Sequence, residues 1–63
     1  MNIGKKLRKF RSINGVSLRD AAKYSGIDHS TISRIESGFI KDPKFCDVVI
    51  LCKLYGADIK ELL

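Results

Sequence analysis

Four of the five glycines lie where a helix would end: Gly15, Gly26, Gly38 and Gly56. Glycine ends helices because it adopts the left-handed backbone conformation without a Cβ clash. Ser17 and Asp58 each precede an acidic residue by three positions, a capping-box pattern. Asp28 can cap a third helix, and Asp42 before Pro43 is typical of a fourth helix start. These marks predict five short helices: Ile3 to Ile13, Leu18 to Ser25, His29 to Ser37, Pro43 to Tyr55 and Ile59 to Leu63.

Apolar side chains recur at helical spacing, which predicts an all-α fold around one core. Ile3, Leu7 and Phe10 follow at intervals of four and three, so they share one face of the first helix. The fourth helix is apolar nearly all round, as expected for a helix buried on more than one side. Its outer side either forms a dimer or partner interface or is covered by the last helix folding back. That interface would contain Phe39, Ile40, Ile50, Leu54, Ile59, Leu62 and Leu63.

Length and charge narrow the class of protein. A chain this short buries only about 60% of its unfolded surface, so residues 1–63 make one domain. Twelve Lys and Arg against seven Asp and Glu give a net charge of +5. The excess precedes the first acid, Asp20: Lys5, Lys6, Arg8, Lys9, Arg11 and Arg19. This asymmetry fits a polyanionic partner or, equally, a solvated helix face without a partner.

Several site classes are disfavoured. Cys46 and Cys52 are separated by ~9 Å along one predicted helix, beyond disulfide reach, so we expect free thiols in a reducing compartment. With His29 as the only histidine, a four-ligand zinc site is not available. There is no signal-peptide core and no membrane-length apolar run, so we expect a cytoplasmic protein without metal or cofactor. Catalysis is disfavoured because so small a core leaves little space for a substrate pocket.

The segment from Leu18 to Ile35 reads LRDAAKYSGIDHSTISRI, two short helices joined by a tight turn at Gly26. Small alanines in the helix before the turn let the two helices of this pair cross closely. Isoleucines would hold the pair to the core: Ile27, Ile32 and Ile35. The opposite side would then be polar: Asp28, His29, Ser30, Ser33 and Arg34. A glycine-bounded helix pair of this kind is typical of DNA-binding proteins.

Further residues extend the pattern over nearly the whole chain: Ile3-Gly4, Leu7-Arg8, Arg11, Gly15-Val16-Ser17, Ala22, Gly26-Ile27, Ser30 to Glu36, Gly38, Pro43 and Leu54 to Leu63. With them the chain resembles the lambda-repressor-like family, the Cro and Xre type of bacterial and phage regulators. The resemblance implies a compact five-helix domain whose helices 2 and 3 form a helix-turn-helix at about residues 17–37. It also implies that helix 3 enters the major groove, usually within a homodimer on a palindromic operator.

The resemblance assigns base contacts to one side of helix 3: His29, Ser30, Ser33 and Arg34. Arg34 can donate two hydrogen bonds to guanine O6 and N7, a contact worth about 1–3 kcal/mol of discrimination. Phosphate contacts are expected from Ser17, Arg19, Thr31, Lys41 and Lys44, together with amides at the starts of helices 2 and 4. Many family members carry a phosphate-binding glutamine where Leu18 stands, so this chain lacks one possible contact.

The resemblance also suggests that Arg11 and Glu36 form a partly buried ion pair between helix 1 and the end of helix 3. Removing one partner of a buried pair costs about 3–5 kcal/mol. The alternative is two independent surface charges, worth under about 1 kcal/mol.

Two functions follow from different classes. The first is a sequence-specific, double-stranded DNA-binding transcriptional regulator of the repressor type. The second is a protein-interaction module, an antirepressor or adaptor that keeps the fold and binds a protein through Phe39, Ile40 and the fourth helix.

Overall fold

A computed structural model describes residues 3–62, which form four α-helices and one short 3-10 helix without strands. The helices are α1 (Ile3–Ile13), α2 (Leu18–Ser25), α3 (His29–Ser37) and α4 (Phe45–Tyr55), and the 3-10 helix is Ile59–Leu62. The bounds of α1, α2 and α3 confirm the prediction. No helix in the described part of the chain is long and apolar enough to cross a membrane.

The prediction of five helices is wrong, because the last element is a 3-10 helix rather than an α-helix. Its capping box forms: the Asp58 N–H donates to Glu61 Oε1 at 3.0 Å, and the Lys60 N–H donates to Asp58 Oδ1 at 3.0 Å. The Glu61 N–H also donates to the Asp58 carbonyl at 2.8 Å, which tightens the turn. Four residues are too few to propagate an α-helix. Residue 63, predicted to end this helix, lies outside the described residues.

The predicted start of the fourth helix at Pro43 is also wrong. Lys44 has an extended backbone, with ψ 135°, and serves as the N-cap in place of Asp42. The first helical hydrogen bond therefore runs from the Val48 N–H to the Lys44 carbonyl, at 3.1 Å.

Helix α3 is fixed at both ends by local backbone chemistry. Asp28 is its N-cap and accepts from the Ser30 N–H at 3.0 Å. Gly38 ends the helix at φ 87°, in the left-handed region that favours glycine. The preceding turn uses Gly26 in the same way, at φ 75°. The predicted caps at Ser17 and Asp28 and the glycine stops are confirmed.

The core lies between the four α-helices. Each helix contributes a fully buried side chain there: Leu7, Ala21, Ile32 and Leu51. The last turn folds back against α1 and α4, so Leu62 is also buried, at 1% exposure. Leu62 is therefore a core residue of this chain and is not available on the predicted interface. The turn covers only part of α4, because Ile50 remains 39% exposed.

Gly4 lets the backbones of α1 and α3 come into direct contact. A Cβ built on this buried glycine would overlap the Ile35 carbonyl oxygen and come within 2.9 Å of its carbon. Both atoms belong to the α3 backbone, so a side chain could be accommodated only by moving one helix. Gly4 thereby sets the depth at which α3 lies against the domain.

The Glu36 carboxylate joins three helices inside this packing. Arg11 Nε donates to its two oxygens, each at 3.0 Å, and the Tyr55 hydroxyl donates to Oε2 at 3.0 Å. The Glu36 side chain is 4% exposed and that of Arg11 is 14% exposed. Arg11 Nη1 also donates to the Val16 carbonyl at 2.9 Å. Burial and the neighbouring Glu36 charge raise the pKa of Tyr55, so its hydroxyl remains a donor.

We predict that Gly4→Ala destabilises the protein by about 1–3 kcal/mol, because the new methyl group overpacks the α1–α3 contact. Ser12→Ala, an exposed change on the same helix, is the control and should have little effect. Urea unfolding measures both. Equal stabilities of the two variants would contradict the close-approach argument.

Removing either charge of the ion pair should cost about 3–5 kcal/mol, because the partner is left buried without compensation. Arg11→Ala, Glu36→Ala and the double variant, followed by thermal and urea unfolding, form a double-mutant cycle. The double variant should lose less than the sum of the single losses. Strictly additive losses would refute the coupling.

Tyr55→Phe removes one donor from a buried carboxylate and should cost about 1.5–3 kcal/mol. Tyr24→Phe deletes the same hydroxyl from a ring that is 68% exposed, and should be neutral. Urea midpoints compare the two variants. A neutral Tyr55→Phe would mean that the hydrogen bond adds nothing to stability.

Candidate nucleic-acid interface

The polar side of α3 faces solvent. His29, Ser33 and Arg34 are exposed, and Ser30 and Thr31 are half-buried. On the opposite side Ile32 and Ile35 are 0% and 2% exposed. The helix therefore presents short polar groups and one guanidinium outward while its isoleucines attach it to the core.

The turn between α2 and α3 is closed by hydrogen bonds. The Gly26 N–H donates to the Ala22 carbonyl at 3.0 Å, and the Ile27 N–H donates to the Ser25 hydroxyl at 3.0 Å. Ala21 is fully buried, so no side-chain bulk separates the two helices there. The position of α3 relative to α2 is consequently set by the turn and by packing.

The residues expected to contact phosphate are mostly exposed. Arg19, Lys41 and Lys44 are exposed, whereas Thr31 is half-buried. Ser17 is exposed, and its hydroxyl oxygen accepts from the Asp20 N–H at 3.0 Å, which leaves its own proton available to donate.

The starts of α3 and α4 differ in what they offer an anion. The start of α3 already carries the Asp28 carboxylate, whose pKa is lowered chiefly by the Ser30 N–H, so it disfavours a phosphate. The start of α4 has no side-chain cap hydrogen bond from Lys44. Its first amides and the Lys44 charge can therefore act on the same anion.

Arg8 is a candidate for contacting DNA to which the sequence patterns assigned no base or phosphate contact. It lines a groove of about 130 Å³ between α1, α2 and α3, with Arg11, Leu18, Ser33, Glu36 and Ser37. The Arg11 and Glu36 charges in this groove are paired with each other. The signal available in the sequence was the spacing of three between Arg8 and Arg11, which puts both on one side of α1.

Phe39 lies beside Arg34, at the end of the polar side of α3. Its ring is 78% exposed, and its centroid is 5.9 Å from the Arg34 guanidinium carbon. The sequence had placed Phe39 on a dimer or partner interface. The other members predicted there are spread over the loop, α4 and the 3-10 helix: Ile40, Leu54 and Ile59 are half-buried, and Ile50 is exposed.

The thiols and acids form no ligand set in the described part of the chain. Cys46 is exposed and Cys52 buried, both as free thiols, as predicted. Burial raises the pKa of Cys52, which keeps it protonated. Residues 3–62 contain no cluster of three or more His, Cys, Asp or Glu side chains that could hold a metal ion.

Comparison with known proteins agrees with this geometry. Two curated relatives are similar to the chain, each described as the HTH-type transcriptional regulator PuuR, one from Escherichia coli strain K12 and one from Shigella flexneri. Each is 40% identical over 58 residues, which is 92% of this chain and 31% of the relative. The chain thus spans about a third of the length of these relatives. No solved structure matches the chain significantly.

The helix-turn-helix domain family is matched over residues 2–63. That range includes α2, the Gly26 turn and α3, together with the helices that support them. The chain therefore belongs to the helix-turn-helix domain family.

Proposed function

We propose that this chain binds double-stranded DNA in a sequence-specific manner, as the DNA-binding part of a transcriptional regulator, with α3 in the major groove. One observation carries the proposal: α3 is fixed by the Asp28 cap, Gly38 and two buried isoleucines, while its polar side is exposed. The major groove admits an α-helix, and polar side chains of fixed position can discriminate base edges there.

Each groove-facing residue has a distinct role in this proposal. Arg34 donates two hydrogen bonds to a guanine. His29, at the start of α3, binds a base edge or a phosphate. The hydroxyls of Ser30 and Ser33 are short, so they contact bases or phosphates only at close approach.

Phosphate contacts position the domain on the duplex. Support comes from the exposed basic side chains, the net charge of +5 and the uncapped start of α4. The proposed set is Ser17, Arg19, Thr31, Lys41 and Lys44. Because these contacts release counterions, affinity should fall steeply as salt is raised.

We further propose a homodimer on a palindromic operator and a repressor role. Ile50, which is exposed, and Leu54, which is half-buried, lie four residues apart on α4 and supply apolar surface for such an interface. The two relatives are named transcriptional regulators, which supports regulation of transcription as the output. The competing function, a protein-interaction module, would use Phe39, Ile40 and α4 on a protein partner, and is favoured by the exposed Phe39 ring.

The decisive experiment is selection of bound duplexes from a random pool, followed by fluorescence anisotropy across salt concentrations. We expect an enriched palindromic site, whose half-site spacing reports the dimer geometry. Arg34→Ala should lose about 1–3 kcal/mol of preference at one base pair per half-site. No preference for any enriched duplex over random DNA would refute the proposal.

Lys53→Ala provides the matched control for Arg34→Ala. It removes the same unit of charge from an exposed residue of α4 that is outside the proposed contact set. Base preference should be unchanged in this variant. If both variants alter binding equally on all duplexes, Arg34 contributes only charge.

A further inference from the structure

The fold does not explain why Phe39 is exposed. The ring is 78% accessible and follows the left-handed Gly38 in the loop that leaves α3. It is the most exposed of the large apolar side chains in the described residues. Solvation of an aromatic ring is unfavourable, and a charged group, the Arg34 guanidinium, lies close to this one.

The backbone ties this loop to Arg34 itself. The Arg34 carbonyl accepts from the Ile40 N–H at 3.1 Å and from the Ser37 hydroxyl at 3.2 Å. The Ser37 hydroxyl in turn accepts from the Phe39 N–H at 3.4 Å. These hydrogen bonds connect residues before and after Phe39 to the Arg34 carbonyl. The position of the Phe39 backbone is therefore fixed relative to that of Arg34.

The ring meets the guanidinium within cation–π distance, 5.9 Å from centroid to Cζ. When a guanidinium lies parallel to an aromatic ring, the contact leaves its in-plane N–H donors free. Those same donors form the fork that recognises guanine. An unrestrained arginine loses rotamer freedom when it binds, whereas one held against an aromatic ring has lost part of it beforehand.

We propose that Phe39 is a positioning residue for base recognition: its ring holds the Arg34 guanidinium ready for a guanine in the major groove. The inference rests on the proposed function, which it deepens by naming what sets the specificity of Arg34. It assigns Phe39 to the DNA surface in place of a protein interface.

A second aromatic pair offers an internal comparison. The Lys23 ammonium lies 5.5 Å from the Tyr24 ring centroid on α2, and that ring is 68% exposed. Lysine lacks the planar fork, and neither residue belongs to the outer side of α3. Tyr24→Leu is therefore a control of similar exposure that should leave base preference unchanged.

The test compares Kd for the selected duplex with Kd for one changed at the base pair that Arg34 reads. Phe39→Leu should reduce the ratio of Kd for the changed duplex to Kd for the selected duplex by about two- to fivefold, the effect of an exposed cation–π contact. Phe39→Tyr keeps an aromatic face and should restore the ratio. In an Arg34→Ala background, Phe39→Leu should have no further effect on it.

Several results would overturn this role. They are an unchanged ratio in Phe39→Leu, a loss that Phe39→Tyr does not rescue, equal weakening on both duplexes, or a full further loss in the Arg34→Ala background. Circular dichroism melts verify that each variant is folded, which separates positioning from stability.

If the wild-type chain prefers no duplex, the proposed function and this inference both fail. If it does prefer one but Phe39→Leu behaves as wild type, only this inference fails.

Discussion

The carboxylate of Glu36 is the charge on which the arrangement of the domain depends. It is buried at the end of α3 and is held by Arg11 of α1 and Tyr55 of α4. An uncompensated carboxylate at this depth would be costly, so all three helices have to be in place together. In residues 3–62 no buried side-chain nitrogen or oxygen lacks a hydrogen-bond partner, which agrees with this requirement.

This constraint extends to the candidate site. Glu36 follows Ile35 on the inner side of α3, and Arg34, immediately before them, points outward. Fixing the end of the helix therefore fixes the origin of the Arg34 side chain, and Gly4 fixes its depth from the other side of the contact. The proposed recognition of DNA uses a helix whose position is determined by the core. In the same proposal, Phe39 in the loop after Gly38 positions the Arg34 guanidinium at the end of that helix.

Sequence patterns predicted α1, α2 and α3 to the residue, because helix caps and glycine stops act within one turn of the chain. They failed at α4, where Asp42 and Pro43 carry the composition of a helix start but neither residue is helical and the backbone is still extended at Lys44. They also failed at the last element, because a capping box does not report whether the turn that follows is long enough for an α-helix. The polar side of α3, with Ser33 and Arg34, could be named in advance because the period of a helix defines its faces, whereas the role of its residues in base recognition stays a prediction.

The sequence by itself determined the bounds of α1, α2 and α3, which side of α3 is polar, and that the chain is basic, since these properties depend on residues near one another. Only the tertiary structure decided that Tyr55 completes the Glu36 site, that Arg8 lines the groove beside Ser33, and that Leu62 is buried. Those contacts join residues far apart in the chain, 19 positions for Tyr55 and Glu36. No local pattern encodes such distances, because they follow from how the helices pack.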